Sequence, residues 1–145
     1  MNHLTFVPAN AEDADLIFSQ CAQLVLRFED PNEVDLDRAL NWLQKKIRTR
    51  ISEYTCVLRG NEKVAFYCLT QEKTGAELDD FYVLEPYRNQ GIGSRILRHC
   101  MEVTTLPISL YVFNANDGAI RLYTRCGFVT TQQVSPTRSI MTRYP

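Results

Sequence analysis

The sequence predicts a mixed α/β (α+β) domain with a mainly antiparallel sheet that holds one parallel pair, in the element order β-α-α-β-β-β-α-β-α-β-β. Three observations carry this expectation. The β-branched and aromatic run 78–84 is followed by a helical stretch, 94–103, and then by the apolar strand Ile108–Phe113. Such a strand–helix–strand unit lays its strands parallel through a right-handed crossover. Two further pairs of strand-forming runs are each joined by a short polar turn and read as antiparallel hairpins. Finally, two amphipathic helical stretches separate the first strand from the first hairpin.

Taken in order, His3-Leu4-Thr5-Phe6-Val7 alternates and is rich in strand formers, so the chain opens on a strand that Pro8 ends. Asn10 is a good N-cap, Glu12 and Asp13 follow in the first turn, and Leu16, Ile17, Cys21, Leu24, Val25 and Phe28 recur at helical spacing, giving a helix over 11–28. Glu29-Asp30-Pro31-Asn32 breaks it. Leu36, Ala39, Leu40, Leu43, Ile47 and Ile51 form a second amphipathic stripe. Lys45, Lys46, Arg48 and Arg50 fall mostly off that stripe near the helix C-terminus and read as a solvated face. Trp42 reads as a core or rim residue. The runs 55–58 and 64–69, joined by Arg59-Gly60-Asn61-Glu62-Lys63, make the first hairpin, and Lys73-Thr74-Gly75 turns into the strand that ends near Val83. Leu106-Pro107 stops the central helix. Beyond Ile108–Phe113, the run 114–118 is a loop and cap, 119–126 a short helix ended by Gly127, and 128–134 and 139–144 two strands joined through Ser135-Pro136.

Composition bounds the class. A chain of 145 residues with 45% hydrophobic and 23% charged residues suits one globular domain, 1–145, and argues against disorder. The net charge of −1 disfavours a nucleic-acid partner, which selects for a basic excess or a basic face. No apolar run approaches the ~18 residues of a membrane span, and Asn10-Ala11-Glu12-Asp13 interrupts anything like a signal peptide's apolar core, so the reading is cytoplasmic with no membrane partner. Cys21, Cys56, Cys68, Cys100 and Cys126 are odd in number and widely spaced, which fits small buried thiols rather than a disulfide framework. His3 and His99 have no acidic or cysteine ligand at metal spacing, so no metal is expected.

The tightest feature is Tyr87-Arg88-Asn89-Gln90-Gly91-Ile92-Gly93-Ser94, where the strand over 78–84 gives way to the helix over 94–103 at two glycines. N–H groups in the first turn of a helix have no partner within it and sit at the positive end of the macrodipole, so they attract an anion such as phosphate. Glycines let a ligand approach that backbone, and Arg88 adds positive charge; two glycines alone also suit a plain strand-to-helix turn. A dinucleotide fingerprint requires a glycine where Ile96 stands, and a P-loop requires Gly-Lys-Ser/Thr, which is absent.

What remains, Arg88-Asn89-Gln90-Gly91-Ile92-Gly93 after a strand ending near Val83, resembles the acetyl-CoA signature Arg/Gln-x-x-Gly-x-Gly/Ala of the GNAT family of N-acetyltransferases. A second motif agrees: Asn116-x-x-Ala119-x-x-Leu122-Tyr123-x-x-Cys126-Gly127-Phe128 is similar, without gaps, to that family's Asn-x-x-Ala-x-x-Leu-Tyr-x-x-x-Gly-Phe. Val83-Leu84-Glu85-Pro86-Tyr87-Arg88 is similar to its Val-x-Pro-x-Tyr-Arg approach at equal length, with the proline one place later. The resemblance covers nearly the whole chain, most strongly over 78–128, and the family's element order is the one predicted above.

The resemblance implies a GNAT-like sheet whose central parallel pair splays, in a single N-acetyltransferase domain. It implies transfer of an acetyl group from acetyl-CoA, as cosubstrate and without a metal, to a primary amine of a small molecule or peptide, by direct attack in a ternary complex. In that reading the segment Arg88, Asn89, Gln90, Gly91, Ile92, Gly93, Ser94 binds the cofactor, with the N–H groups from Gln90 through Ser94 on the pyrophosphate and Arg88 beside it. Backbone at Val83 would bond the pantetheine arm or the thioester oxygen, and Asn116 would contact the arm from the far side. Tyr123 takes the position of the acid that protonates the departing thiolate, though on its own it also reads as a core tyrosine. For the base, Glu77 comes first and Asp79 second; both share a strand face by alternation, with Asp80 on the other unless a bulge reassigns them, and both also read as solvated or substrate-orienting acids. Glu29, Asp30, Glu77, Asp79 and Asp80 would make an acidic approach that favours a cationic amine. A non-catalytic acyl-CoA-binding sensor is the rival. The sequence leaves acceptor, acyl length and oligomeric state open, with a homodimer among the options.

Overall fold

The computed structural model describes residues 3–145. The elements come in the expected order: β1 (Leu4–Pro8), α1 (Ala14–Phe28), α2 (Leu36–Thr49), β2 (Tyr54–Arg59), β3 (Glu62–Gln71), β4 (Ala76–Val83), α3 (Ile92–Val103), β5 (Ile108–Phe113), α4 (Asp117–Arg125), β6 (Val129–Gln133) and β7 (Arg138–Arg143). Short 3-10 turns stand at Ala11–Asp13, Ile51–Glu53 and Glu85–Tyr87. The strands follow one another in the sheet as β1-β2-β3-β4-β5-β7-β6. β4 and β5 run parallel, whereas β1–β2, β2–β3, β5–β7 and β6–β7 are antiparallel, which is the mixed, mainly antiparallel sheet the sequence predicts. The parallel ladder holds only Ala76 opposite Ile108 and Glu77 opposite Ser109, so the pair joins at one end alone.

β1 ends at Pro8, as expected, and Pro8 still takes its place in the ladder opposite Thr55. It can do so because β1 is an edge strand, where a missing N–H need not break a ladder. The helix expected over 11–28 starts with a 3-10 turn under a capping box: Asp13 Oδ2 accepts from the Asn10 N–H at 2.8 Å, and Asn10 Oδ1 accepts from the Glu12 N–H at 2.9 Å.

The chain divides into two compact units. The first runs to Cys68 and includes Asp80–Tyr82; α1 and α2 pack together in it, and Ile17, Ile47, Tyr54, Val57, Val64 and Phe66 are fully buried. Tyr82 stacks on Phe66, with ring centroids 5.6 Å apart and planes 7° from parallel. The second unit takes the rest, 69–79 and 83–145, and buries Ile96, Leu97, Cys100, Ile108, Leu110, Phe128 and Met141. Across β5, β7 and β6 a hydroxyl chain runs through this unit, Ser109 Oγ to Thr142 Oγ1 at 2.9 Å and Thr142 Oγ1 to Thr131 Oγ1 at 3.0 Å.

Candidate active site

β4 leaves the sheet through the 3-10 turn Glu85–Tyr87. Pro86 lies in its first turn, where a missing N–H goes unneeded, so the late proline still gives an ordered path into the loop. Asn89 (φ +63) and Gly91 (φ +79) are both left-handed. Asn tolerates that region and Gly is free in it, so these two residues reverse the chain and start α3 at Ile92, two residues earlier than expected. Gly91 is the N-cap, carries no side chain to accept from Ile92, Gly93 or Ser94, and no acidic residue stands in the first turn. A β-carbon built on Gly91 would meet nothing within 4 Å, so the requirement for glycine there is conformational rather than one of space. Gln90 Nε2 donates to the Pro86 carbonyl at 3.3 Å and holds the loop from within.

The structure joins two of the predicted binding residues directly: Arg88 Nε donates to the Val83 carbonyl at 2.9 Å. That carbonyl is therefore occupied by the chain itself. Glu77 is exposed at the end of the β4–β5 ladder, and Asp79, two residues on, is half-buried.

Asp80 was expected on the opposite strand face unless a bulge intervened, and the strand does bend there: Asp80 has φ +51, a left-handed value inside β4. Its Oδ2 accepts from the Tyr54 hydroxyl at 2.6 Å and lies 2.9 Å from Lys46 Nζ. Lys46 thus departs from the solvated face expected for it; its side chain is 9% exposed and its ammonium also lies 5.0 Å from the centroid of the Trp42 ring. Tyr54, Lys46 and Asp80 all belong to the first unit. Sequence reasoning missed this cluster because its members lie far apart in the chain and only the fold brings them together; the one local sign was a run of two aspartates in a strand that disfavours them.

α4 gives the second motif a structural cause. Asn116 is its N-cap, with Oδ1 accepting from the Ala119 N–H at 3.3 Å, which leaves the amide nitrogen as the group a ligand could engage. At the other end Gly127 (φ +92) closes a Schellman cap: the Phe128 N–H donates to the Tyr123 carbonyl at 3.0 Å and the Gly127 N–H to the Thr124 carbonyl at 3.1 Å. The apolar contact that accompanies such a cap is Tyr123 against Phe128, with ring centroids 5.7 Å apart. The spacing Asn-x-x-Ala-x-x-Leu-Tyr-x-x-x-Gly-Phe is thus the punctuation of one nine-residue helix, and it fixes Tyr123 on the last turn. Tyr123 is buried, and burial raises its pKa above the ordinary value of a phenol. The hydroxyl stays protonated through the neutral range: it can donate a hydrogen bond to a sulfur, while full proton transfer is harder than from an ordinary phenol.

Among the described residues no group of three or more His, Cys, Asp or Glu is placed to hold a metal. Of the cysteines, Cys21, Cys56, Cys68 and Cys100 are buried and Cys126 half-buried. The cofactor and catalytic candidates, from Glu77 and Asp79 through Val83 and 88–94 to Asn116 and Tyr123, all fall in the second unit.

Comparison with curated proteins finds none that matches. Among solved structures, the PaiA N-acetyltransferase from Thermoplasma acidophilum in complex with coenzyme A superposes with a TM-score of 0.78 at 15% identity, over 99% of each chain. An N-acetyltransferase from Staphylococcus aureus Mu50 gives 0.74 at 15% identity over 95% of this chain and 99% of its own. The spermidine N-acetyltransferase from Vibrio cholerae, in complex with CoA and spermine, gives 0.70 at 17% identity over 96% and 94%. At these identities the likeness is one of fold. Residues 18–128, well over half of the chain, match the model of the Acetyltransferase (GNAT) family, and by that match the chain belongs to this family of acyl-CoA-dependent acetyltransferases.

Proposed function

We propose that the protein is a cytoplasmic N-acetyltransferase that moves an acetyl group from acetyl-CoA to a primary amine of a small cationic substrate by direct attack in a ternary complex. The observation that carries this reading is the start of α3: a loop with two left-handed residues, Asn89 and Gly91, leads into first-turn amides with no side-chain cap and no carboxylate in the first turn. Those features fit a diphosphate, and in this reading the N–H groups from Gln90 through Ser94 bond the cofactor's pyrophosphate. Acetyl-CoA supplies the activated thioester.

Around it the chain's own groups have distinct tasks. The Val83 carbonyl accepts from Arg88, and backbone at Val83 is the group offered to the arm or to the thioester oxygen, where charge develops during attack. Asn116 offers its amide nitrogen while its oxygen caps α4. Tyr123 donates its firmly held O–H to the departing sulfur. Glu77, then Asp79, is the group to take the ammonium proton. Both carboxylates favour a cationic acceptor, whereas Asp80, tied to Lys46, contributes little to that attraction. The spermine held by the Vibrio cholerae enzyme supports the same preference.

The burial of Tyr123 also suits a protein that holds acyl-CoA without turnover. Free thiol released from acetyl-CoA, measured against spermidine, aminoglycosides, amino acids and lysyl peptides, separates the two. Release that is fastest with polycationic amines is the expected result. Faster release with anionic amines would remove the cationic preference, and the absence of release with any of these amines, while coenzyme A still binds, would make the protein a holder.

A further inference from the structure

The second unit carries a cluster of arginines that no role above uses. On α3, Ser94 and Arg98 stand one turn apart on a flank that the buried Ile96, Leu97 and Cys100 leave free. They line an open cavity of about 490 Å³ together with Arg125 and Gly127 at the end of α4 and with Arg143 and Tyr144 at the end of β7. The lining includes no Asp or Glu. Among the described residues, none of Arg98, Arg125 and Arg143 takes part in an ion pair. Arg125, in the last turn of α4, is partly accounted for by the negative end of that helix. Arg98, in the middle of α3, and Arg143, on a strand, are not. Arg143 passes across Gly127: a β-carbon there would lie 3.7 Å from its Cγ and Nε, so the left-handed cap and the guanidinium share the cavity wall. Three like charges around one space repel, and a multiply charged anion relieves that repulsion.

Ser94 ties this cavity to the loop before it. It is the last of the amides assigned to the diphosphate and also a wall of the arginine cavity. Arg98 is one turn further, about 6 Å along the helix axis. Coenzyme A carries its diphosphate on the 5′ carbon of a ribose and a phosphomonoester on the 3′ carbon of the same sugar, so the two groups are one ring apart. A diphosphate gripped at the start of α3 therefore brings the second phosphate to an arginine one turn on.

We propose that this cavity is the site of the coenzyme's 3′-phosphate, clamped by Arg98, Arg125 and Arg143, and that through it the protein distinguishes coenzyme A from 3′-dephospho-coenzyme A. The assignment rests on the reading of α3 as the coenzyme site. Guanidinium groups suit the ligand: they present paired donors in a fixed plane and bond phosphate oxygens two at a time. The phosphomonoester is close to a dianion at neutral pH, so it answers the charge of the cavity better than a carboxylate would. Tyr144, 60% exposed on the same wall, offers a ring face to the adenine.

Calorimetric titration of the full chain with coenzyme A, 3′-dephospho-coenzyme A and inorganic phosphate tests the assignment. The expected result is that coenzyme A binds the wild type at least about tenfold more tightly than its dephospho form at low salt, with the gap narrowing as salt rises. The triple variant Arg98→Gln, Arg125→Gln, Arg143→Gln then loses the gap because coenzyme A alone weakens. Its unchanged affinity for the dephospho form shows that the fold and the diphosphate site survive. Equal affinity of the wild type for both coenzymes, or a gap that persists in the triple variant, overturns the assignment and leaves the coenzyme reading of α3 standing. Heat from inorganic phosphate that the triple variant loses, without any gap between the coenzymes, marks a site for free phosphate and likewise overturns it. If neither coenzyme binds the wild type, both readings fall together.

Discussion

At Tyr123 environment decides what one hydroxyl can do. An ordinary phenol is a fair acid for a thiolate, but burial against Phe128 holds the proton more firmly, so in the proposed reaction the group would serve at neutral pH as a fixed hydrogen-bond donor. Replacement by Phe should lower kcat by roughly 10²–10³-fold, within the range of a lost transition-state hydrogen-bond donor, with coenzyme affinity kept. The raised pKa adds a constraint on the pH profile. Because deprotonation lies above the ordinary phenol value, Tyr123 contributes no descending limb below about pH 10, and the wild type and the Tyr123→Phe variant should give kcat profiles of the same shape and different height over about pH 6–10. An alkaline limb near pH 9 that disappears in the variant would contradict this assignment. Tyr123 was legible in the sequence as a candidate, since its motif lies within 13 consecutive residues. What could not be read was its environment: burial depends on partners from several elements, and the pKa follows from burial.

At the scale of elements, the glycines report on helix and turn starts in a way that can be tested by pairs. Gly91, before α3, and Gly60, in the turn between β2 and β3, both have positive φ, at +79 and +63, and a β-carbon on either would meet nothing within 4 Å. Alanine at each should therefore bring only the strain of a left-handed residue, about 1–2 kcal/mol, seen as similar drops in thermal midpoint. The two variants should part on coenzyme binding: Gly91→Ala sets a methyl before the first-turn amides and should weaken coenzyme A about tenfold or more, while Gly60→Ala should leave it alone. Equal effects on binding would remove Gly91 from the site. Element order, the strand-to-helix loop and the α4 motif were readable because their signals are local: caps, turn residues and hydrophobic period. The bend at Asp80 was not. It is stabilised by Tyr54, 26 residues away in sequence, and by Lys46 from α2, and a solvated lysine near a helix end looks the same in sequence as a buried one.

For the molecule as a whole, the proposed function gives the two compact units different duties. Every residue assigned to the coenzyme or to the chemistry belongs to the second, while α1, α2 and β2 belong to the first. Coenzyme A should therefore slow amide hydrogen exchange at residues 90–94 and leave α1 and β2 at their free rates, as read by mass spectrometry of the intact chain. Uniform slowing across both units, or none at 90–94, would show that the cofactor is gripped in some other way. The sheet order β1-β2-β3-β4-β5-β7-β6 was only partly foreseeable. The hairpins and the crossover named most neighbours, but nothing local in sequence says that β7 inserts between β5 and β6.

The bend in β4 also bears on how this chain can drift over generations. Asp80 pairs with Lys46, whose side chain is 9% exposed, and accepts from Tyr54, which is 2% exposed, so exchanging the aspartate alone takes a partner from each of two buried residues. Positions 46, 54 and 80 are thereby linked in inheritance: a change at one alters the setting of the other two, and a catalogue of natural variants should show the three varying together.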